Sequence, residues 1–184
     1  LSLHHPHVEL RIRVEATRDP LGALESGKLD LAFIHAPPPK RGYVHRLLAE
    51  DRLLLVMAPH HPLAARKRVT PAELRPHRFF VFDSTGPELL AQSKRTFAEG
   101  DAPTRIQRVP LTDVLVQMVR SGQGVSLLSR WIVGPLLDRG ELVTRPLSKA
   151  RLRRTWRAVH RRNSELSEPI DTVVTALGRA LAVP

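Results

Sequence analysis

Apolar and charged positions alternate over Val8-Glu-Leu-Arg-Ile-Arg-Val-Glu15, the period-two pattern of a half-buried strand. Asp19-Pro20 then predicts a helix start, with a capping carboxylate and proline in the first turn. Leu21, Leu24 and Leu29 give that helix an apolar face, and Gly27 suits the turn beyond it. Leu31-Ala-Phe-Ile34 is wholly apolar and predicts a strand buried on both faces. Strand, short helix, buried strand is the βαβ order of a parallel sheet.

Pro37-Pro38-Pro39 breaks the pattern, and Leu47 to Met57 predicts one or two strands around Asp51-Arg52. Pro59-His-His-Pro62 reads as a turn, and Thr70-Pro-Ala-Glu73 as a capping box. Phe79-Phe-Val-Phe82 predicts a buried strand, followed by a helix over about 88–99 and a strand from Arg105 to Val109. Thr112 or Asp113 is expected to cap a helix carrying Val114, Leu115, Met118 and Val119. Val125 to Leu128 predicts a third buried strand and Trp131 to Leu137 a short helix. Glu141 to Leu147 and Arg154 to His160 read as extended, and Pro169 to Leu181 as a final helix. Two βαβ units, 8–34 and 79–128, predict an open α/β fold in two lobes. Ligands of such sheets bind beyond the carboxyl ends of the strands, which points to His35-Ala36, Asp83 to Gly86, Pro110 to Asp113 and Ser129-Arg130.

The chain's 184 residues suit two lobes of this kind. With no cysteine there are no disulfides, thiolate nucleophiles or cysteine metal sites. No apolar run approaches the roughly 20 residues that span a bilayer. Leu1 to His7 does not read as a secretory signal, so a cytoplasmic location and no membrane partner are expected. Lys and Arg number 29 against 18 Asp and Glu, a net charge of +11 that makes nucleic acid a partner to weigh. The densest cluster is Arg151, Arg153, Arg154, Arg157, Arg161 and Arg162, which is either a solvated basic face or a direct nucleic-acid contact.

Catalysis finds little support. No G-x-S-x-G elbow or Walker sequence is present, and Gly122-Gln-Gly124 precedes a strand where a dinucleotide fingerprint follows one. Adjacent His60-His61 lacks further ligands at helical spacing, so no metal site is expected. His35 differs, because it ends a strand at the ligand-binding edge. Ser84-Thr85-Gly86 and Thr112-Asp113 place hydroxyls and backbone N–H groups at helix starts, suited to a carboxylate or phosphate or simply to capping.

His5-Pro-His-Val-Glu-Leu followed by Leu24-Glu-Ser-Gly-Lys-Leu-Asp-Leu-Ala-Phe resembles the opening of the effector domain of LysR-type transcriptional regulators. Pro59-His-His-Pro-Leu-Ala64 with Val69-Thr-Pro-Ala-Glu-Leu74 looks like that family's passage into its second lobe, and Val119 to Leu128 like its helix–glycine–strand segment. Val109-x-x-Thr112, Gln117-Met-Val119 and Trp131 look closest to the MetR-like branch. The resemblance implies two Rossmann-like lobes of the periplasmic-binding-protein type 2 kind. Lobe I would be 1–57 plus 151–184, lobe II 58–150, with a small effector in the cleft. Carried over by position, the effector residues are His35, Ala36, Ser84, Thr85, Gly86, Leu111 and Thr112. It also implies a homodimer or homotetramer through lobe I and lobe II contacts, with Val8–Glu15 and the 88–99 helix at the interface. Two departures stand out: the family's N-terminal winged helix-turn-helix, through which DNA would be bound, and the first strand of lobe I have no counterpart here.

The expectation is therefore a non-enzymatic effector-sensing and dimerisation domain, with no cofactor and an amino acid, thiol metabolite or organic acid as effector. A solute-binding protein of a transport system is the alternative, and an enzyme on the same fold a further one.

Overall fold

The computed structural model describes residues 5–35, 41–83, 97, 103–148 and 153–181. In chain order these form a 3-10 turn at Val14–Arg18, helix α1 (Pro20–Glu25), strands β1 (Leu31–Ile34) and β2 (Tyr43–Met57) and a 3-10 turn at Pro62–Ala65. Then come α2 (Pro71–Leu74), β3 (Arg78–Phe82), β4 (Arg105–Val109), α3 (Thr112–Arg120), β5 (Val125–Ser129), α4 (Arg130–Asp138), β6 (Val143–Arg145), β7 (Arg153–Arg161) and α5 (Ser167–Leu181). The chain divides into two compact units, Leu1–Glu50 with Arg154–Pro184, and Asp51–Arg153. The division falls inside β2, some residues before the Met57 boundary expected from the sequence.

In the first unit β7 lies between β1 and β2. It runs antiparallel to β1, with Leu31 opposite His160 and Ile34 opposite Arg157. One face packs Ala32, Ile34 and Val159 against Leu24 of α1. The other packs Ala158 against Ile170 and Val174 of α5. Asp19 caps α1 as its position before Pro20 requires, its Oδ1 accepting from the Gly22 N–H at 3.0 Å. Gly27 turns the chain at φ +74°, a conformation open to glycine.

Three expectations fail in this unit. Val8–Glu15 is not a strand: residues 8–13 carry no regular structure, 14–18 are a 3-10 turn, and Ile12 is 82% exposed. Alternation specifies which side chains share a face, but a strand also needs a neighbour for its N–H and C=O groups, and none pairs with this segment among the described residues. The unit is accordingly not a parallel βαβ, since β1 takes an antiparallel neighbour from far along the chain. Nor is β1 buried on both faces, because Phe33 is 37% exposed while Ala32 and Ile34 are buried.

The second unit is a mixed sheet. β4, β3 and β5 run parallel, with Arg78 opposite Arg105, Phe82 opposite Val109 and Phe79 opposite Val125. β2 joins β5 antiparallel, Leu53 opposite Ser129, and β6 joins β2 antiparallel. Alternation along these strands serves two cores. Leu55, Met57, Phe79 and Val125 meet Leu63, Leu74 and Phe97 on one face. Val56, Phe80 and Leu128 meet Leu115, Val119 and Val133 of α3 and α4 on the other. The capping box before α2 forms as predicted, Thr70 N–H donating to Glu73 Oε2 at 2.8 Å and Glu73 N–H to Thr70 Oγ1 at 3.4 Å. The predicted cap of α3 does not: Leu111 holds the N-cap position, Thr112 is already helical, and no side chain closes the end. The expected 88–99 helix, apart from Phe97, and Arg151 lie outside the described residues.

Candidate functional site

The strand-end loops divide between the units. In the first, β1 delivers His35, whose ring meets the edge of Trp156 with centroids 5.3 Å apart. Trp156 stands on β7 in line with Arg154, whose guanidinium carbon sits 4.7 Å over the indole. The antiparallel register makes this grouping: Ile34 faces Arg157, so one step further brings His35 beside Trp156. The indole face attracts the guanidinium and fixes the plane in which it lies. All three side chains are half-buried. Local sequence marks Arg154 only as one of a basic cluster and does not mark Trp156; the pairing of β1 with β7 sets them beside His35.

In the second unit the carboxyl ends of β3 and β4 are tied together by the Asp83 N–H donating to the Val109 carbonyl at 2.9 Å. That bond places Pro110, which follows Val109, next to Asp83. Leu111 is half-exposed and extended, at φ −125° and ψ 128°, and its carbonyl accepts the first helical bond of α3 from the Leu115 N–H at 3.0 Å. Among the described residues no side-chain cap hydrogen bond closes the N-terminus of α3, the helix end whose first N–H groups suit an anionic or hydrogen-bonding ligand. Ala36, Ser84, Thr85 and Gly86 lie outside the described residues.

Ser129, at the end of β5, behaves differently from the other strand ends. Its hydroxyl donates to Asp51 Oδ2 at 2.6 Å, with both residues buried. The short, charge-assisted bond holds β2 against β5, which is a structural duty. Ser126 likewise spends its hydroxyl on the Phe80 carbonyl at 2.8 Å. His61, in the turn after β2, accepts the Leu63 N–H through Nδ1 at 3.2 Å and lies with its ring 4.7 Å from that of His77. Burial, with the nearby His77 and His60 adding to it, lowers its pKa to about 4; burial also lowers that of His77. His60 packs against Gly122, where a Cβ would come within 2.3 Å of its Nε2. Among the described residues no group of three His, Asp or Glu stands close enough to hold a metal ion, and no helix is long and apolar enough to cross a membrane.

The sequence pattern of the LysR substrate binding domain matches residues 1–182. The chain belongs to the LysR substrate-binding-domain family. Among curated relatives of this LysR domain, the transcriptional regulator MetR of Escherichia coli strain K12 is 30% identical over 165 residues, which is 90% of this chain and 51% of that protein. CbbR of Rhodospirillum rubrum is 28% identical over 176 residues, 96% of this chain and 58% of that one. The chain thus spans about half the length of the curated relatives it matches. Among solved structures, the regulatory domain of MetR from N. meningitidis superposes with a TM-score of 0.79 at 24% identity, covering 97% of this chain and 83% of that one. The Synechocystis PCC6803 CcmR regulatory domain in complex with 2-PG gives 0.77 at 18% identity, covering 98% and 87%. The LysR domain therefore has the type 2 periplasmic-binding-protein-like fold.

Proposed function

We propose that this chain is the effector-sensing and dimerising part of a transcription regulator, working in the cytoplasm on DNA held by another part of the same protein. The family match over residues 1–182 is the observation that carries the reading. The relatives are transcription regulators, and two structures of the same fold carry small molecules, 2-PG in CcmR and shikimate in QuiR. The strand-end chemistry fits the role. His35 with Ala36 in the first unit, and Ser84, Thr85, Gly86, Leu111 and Thr112 in the second, are the effector contacts. They offer hydroxyls, amides and an imidazole, which grip a metabolite and supply no activated nucleophile. The effector belongs to the amino acids, thiol metabolites or organic acids. It acts by differential affinity for two states of the assembled regulator, without being transformed.

A thermal-shift screen with those three compound classes tests the site. At a hundredfold excess over its dissociation constant an effector adds about 2.7 kcal/mol of stability. The expected result is a rise in melting temperature that disappears when Thr85→Ala and Thr112→Val are combined. A rise that survives both substitutions rules out these contacts, and turnover of the bound compound rules out a sensor.

A further inference from the structure

The chain's positive charge is unevenly shared. Residues 51–153 hold 17 Lys and Arg against 9 Asp and Glu, whereas the rest of the chain holds 12 against 9. In that second unit the arginines near carboxylates are neutralised: Arg66 pairs with Glu73 at 3.2 Å and Arg120 with Glu141 at 2.6 Å. Arg78 and Arg105 are not. They stand directly opposite each other at the starts of the parallel strands β3 and β4, both exposed. Neither enters an ion pair among the described residues.

Register partners in a sheet present their side chains on the same face, with strands about 4.8 Å apart. Two like charges in that relation repel and cost stability. The local backbone nevertheless holds them together. Arg105 donates to the Pro76 carbonyl at 3.3 Å, and Thr104 Oγ1 donates to the Arg75 carbonyl at 3.1 Å. Gly124 closes the same corner, since a Cβ there would stand 2.4 Å from the Arg78 carbonyl oxygen. Arg75 flanks the pair and is exposed, and His77 lies between Arg75 and Arg78 in the chain. β4 ends the strand order of this unit, and Arg105, Ile106, Gln107 and Arg108 are all exposed along it. This rim is at the amino ends of β3 and β4, opposite the loops after Phe82 and Val109 to which the effector contacts are assigned.

A register pair of guanidinium groups with no ion-pair partner among the described residues, on a protein of +11 net charge, calls for a polyanion. We propose that the Arg78–Arg105 rim binds the phosphodiester backbone of duplex DNA, as a contact additional to the regulator's separate DNA-reading part. The proposal rests on the regulatory reading only for the choice of polyanion; the charge arrangement stands without it. Duplex DNA carries a charge every 1.7 Å or so along its axis, and each phosphate neutralised by Arg releases condensed counterion.

The test is fluorescence anisotropy of a labelled 20-base-pair duplex titrated with the 184-residue chain, without effector, from 25 to 200 mM salt (DNA length and salt range roughly chosen to span the steep region of the salt dependence). The expected result is binding at low salt. Combining Arg78→Ala with Arg105→Ala should lower the slope of log affinity against log salt by about 1.8. Arg78→Lys with Arg105→Lys, which keeps the charge, should retain most of that slope and so separates lost charge from lost fold. Arg13→Ala with Arg179→Ala removes the same charge from the first unit and should change the slope by less than half as much. No binding at low salt, or equal loss in both alanine pairs, overturns the proposal. Tighter binding of a poly-glutamate peptide than of DNA, lost with the same two arginines, also overturns it by assigning the rim to an acidic protein segment. Neither result bears on the effector contacts, which the thermal-shift screen addresses separately.

Discussion

His61 makes the second unit sensitive to acid in a way that can be worked through. Its imidazole is buried beside His77, and its Nδ1 accepts the Leu63 N–H that begins the 3-10 turn. Protonation there removes the acceptor and puts a cation beside a second imidazole. The folded-state pKa is accordingly lowered to about 4, from an ordinary 6.5. A lowered pKa means the fold favours the neutral form. Its contribution is fully present above pH 6.5 and is lost as the pH falls toward 4. At 1.36 kcal/mol per pKa unit, moving from pH 7.5 to 5.0 costs about 2 kcal/mol through this group alone. Urea unfolding at the two pH values measures it, alongside His61→Asn, whose short side chain keeps an acceptor for the turn and does not titrate. The expected result is that the variant loses about 2 kcal/mol less than the parent over this interval. An identical pH dependence in the two proteins would falsify the assignment of acid sensitivity to His61.

Two further substitutions examine how the second unit is held together. Ser129→Ala removes the hydroxyl that satisfies buried Asp51 Oδ2, and should cost about 1–3 kcal/mol in chemical unfolding; a loss below 0.5 or so means the bond adds nothing net. Gly124→Ala forces a methyl to within 2.4 Å of the Arg78 carbonyl, so β3 and β5 must separate, and a fall in melting temperature of about 5 °C or more is expected; an unchanged melting temperature refutes the close approach.

What was legible in the chain was local. The Thr70–Glu73 box and the Asp19-Pro20 start are set by side chains reaching backbone a few residues away, and both form as the sequence predicts. Phe79 and Phe80 alternate across a strand whose neighbours come from the same unit, so the period-two rule holds there. The rule misleads at Val8–Glu15, because alternation cannot supply the neighbouring strand that a ladder requires. The expected cap by Thr112 or Asp113 does not form, since both lie inside the helix, whose N-cap is Leu111. His35 follows β1 where the sequence places a strand end, but its neighbours Trp156 and Arg154 cannot be read beside it, because the β1–β7 register joins segments over 120 positions apart. The same distance effect hid the Asp51–Ser129 bond, 78 positions apart, and the meeting of His61 with His77.

The mixed sheet of the second unit also orders the way it can assemble. β3, β4 and β5 follow one another closely in the chain, so their parallel crossovers close modest loops, whereas β2 reaches β5 across the 78-residue separation of its Asp51–Ser129 bond. Ring closure over the longer span costs more entropy, and it is repaid only once β5 offers a finished edge. That repayment is large, because β2 lies between β5 and β6 with Leu55, Val56 and Met57 fully buried, whereas β4 ends the strand order with Arg105 to Arg108 exposed. The amides of β4 should therefore exchange with solvent before those of β2 when the native state opens part-way.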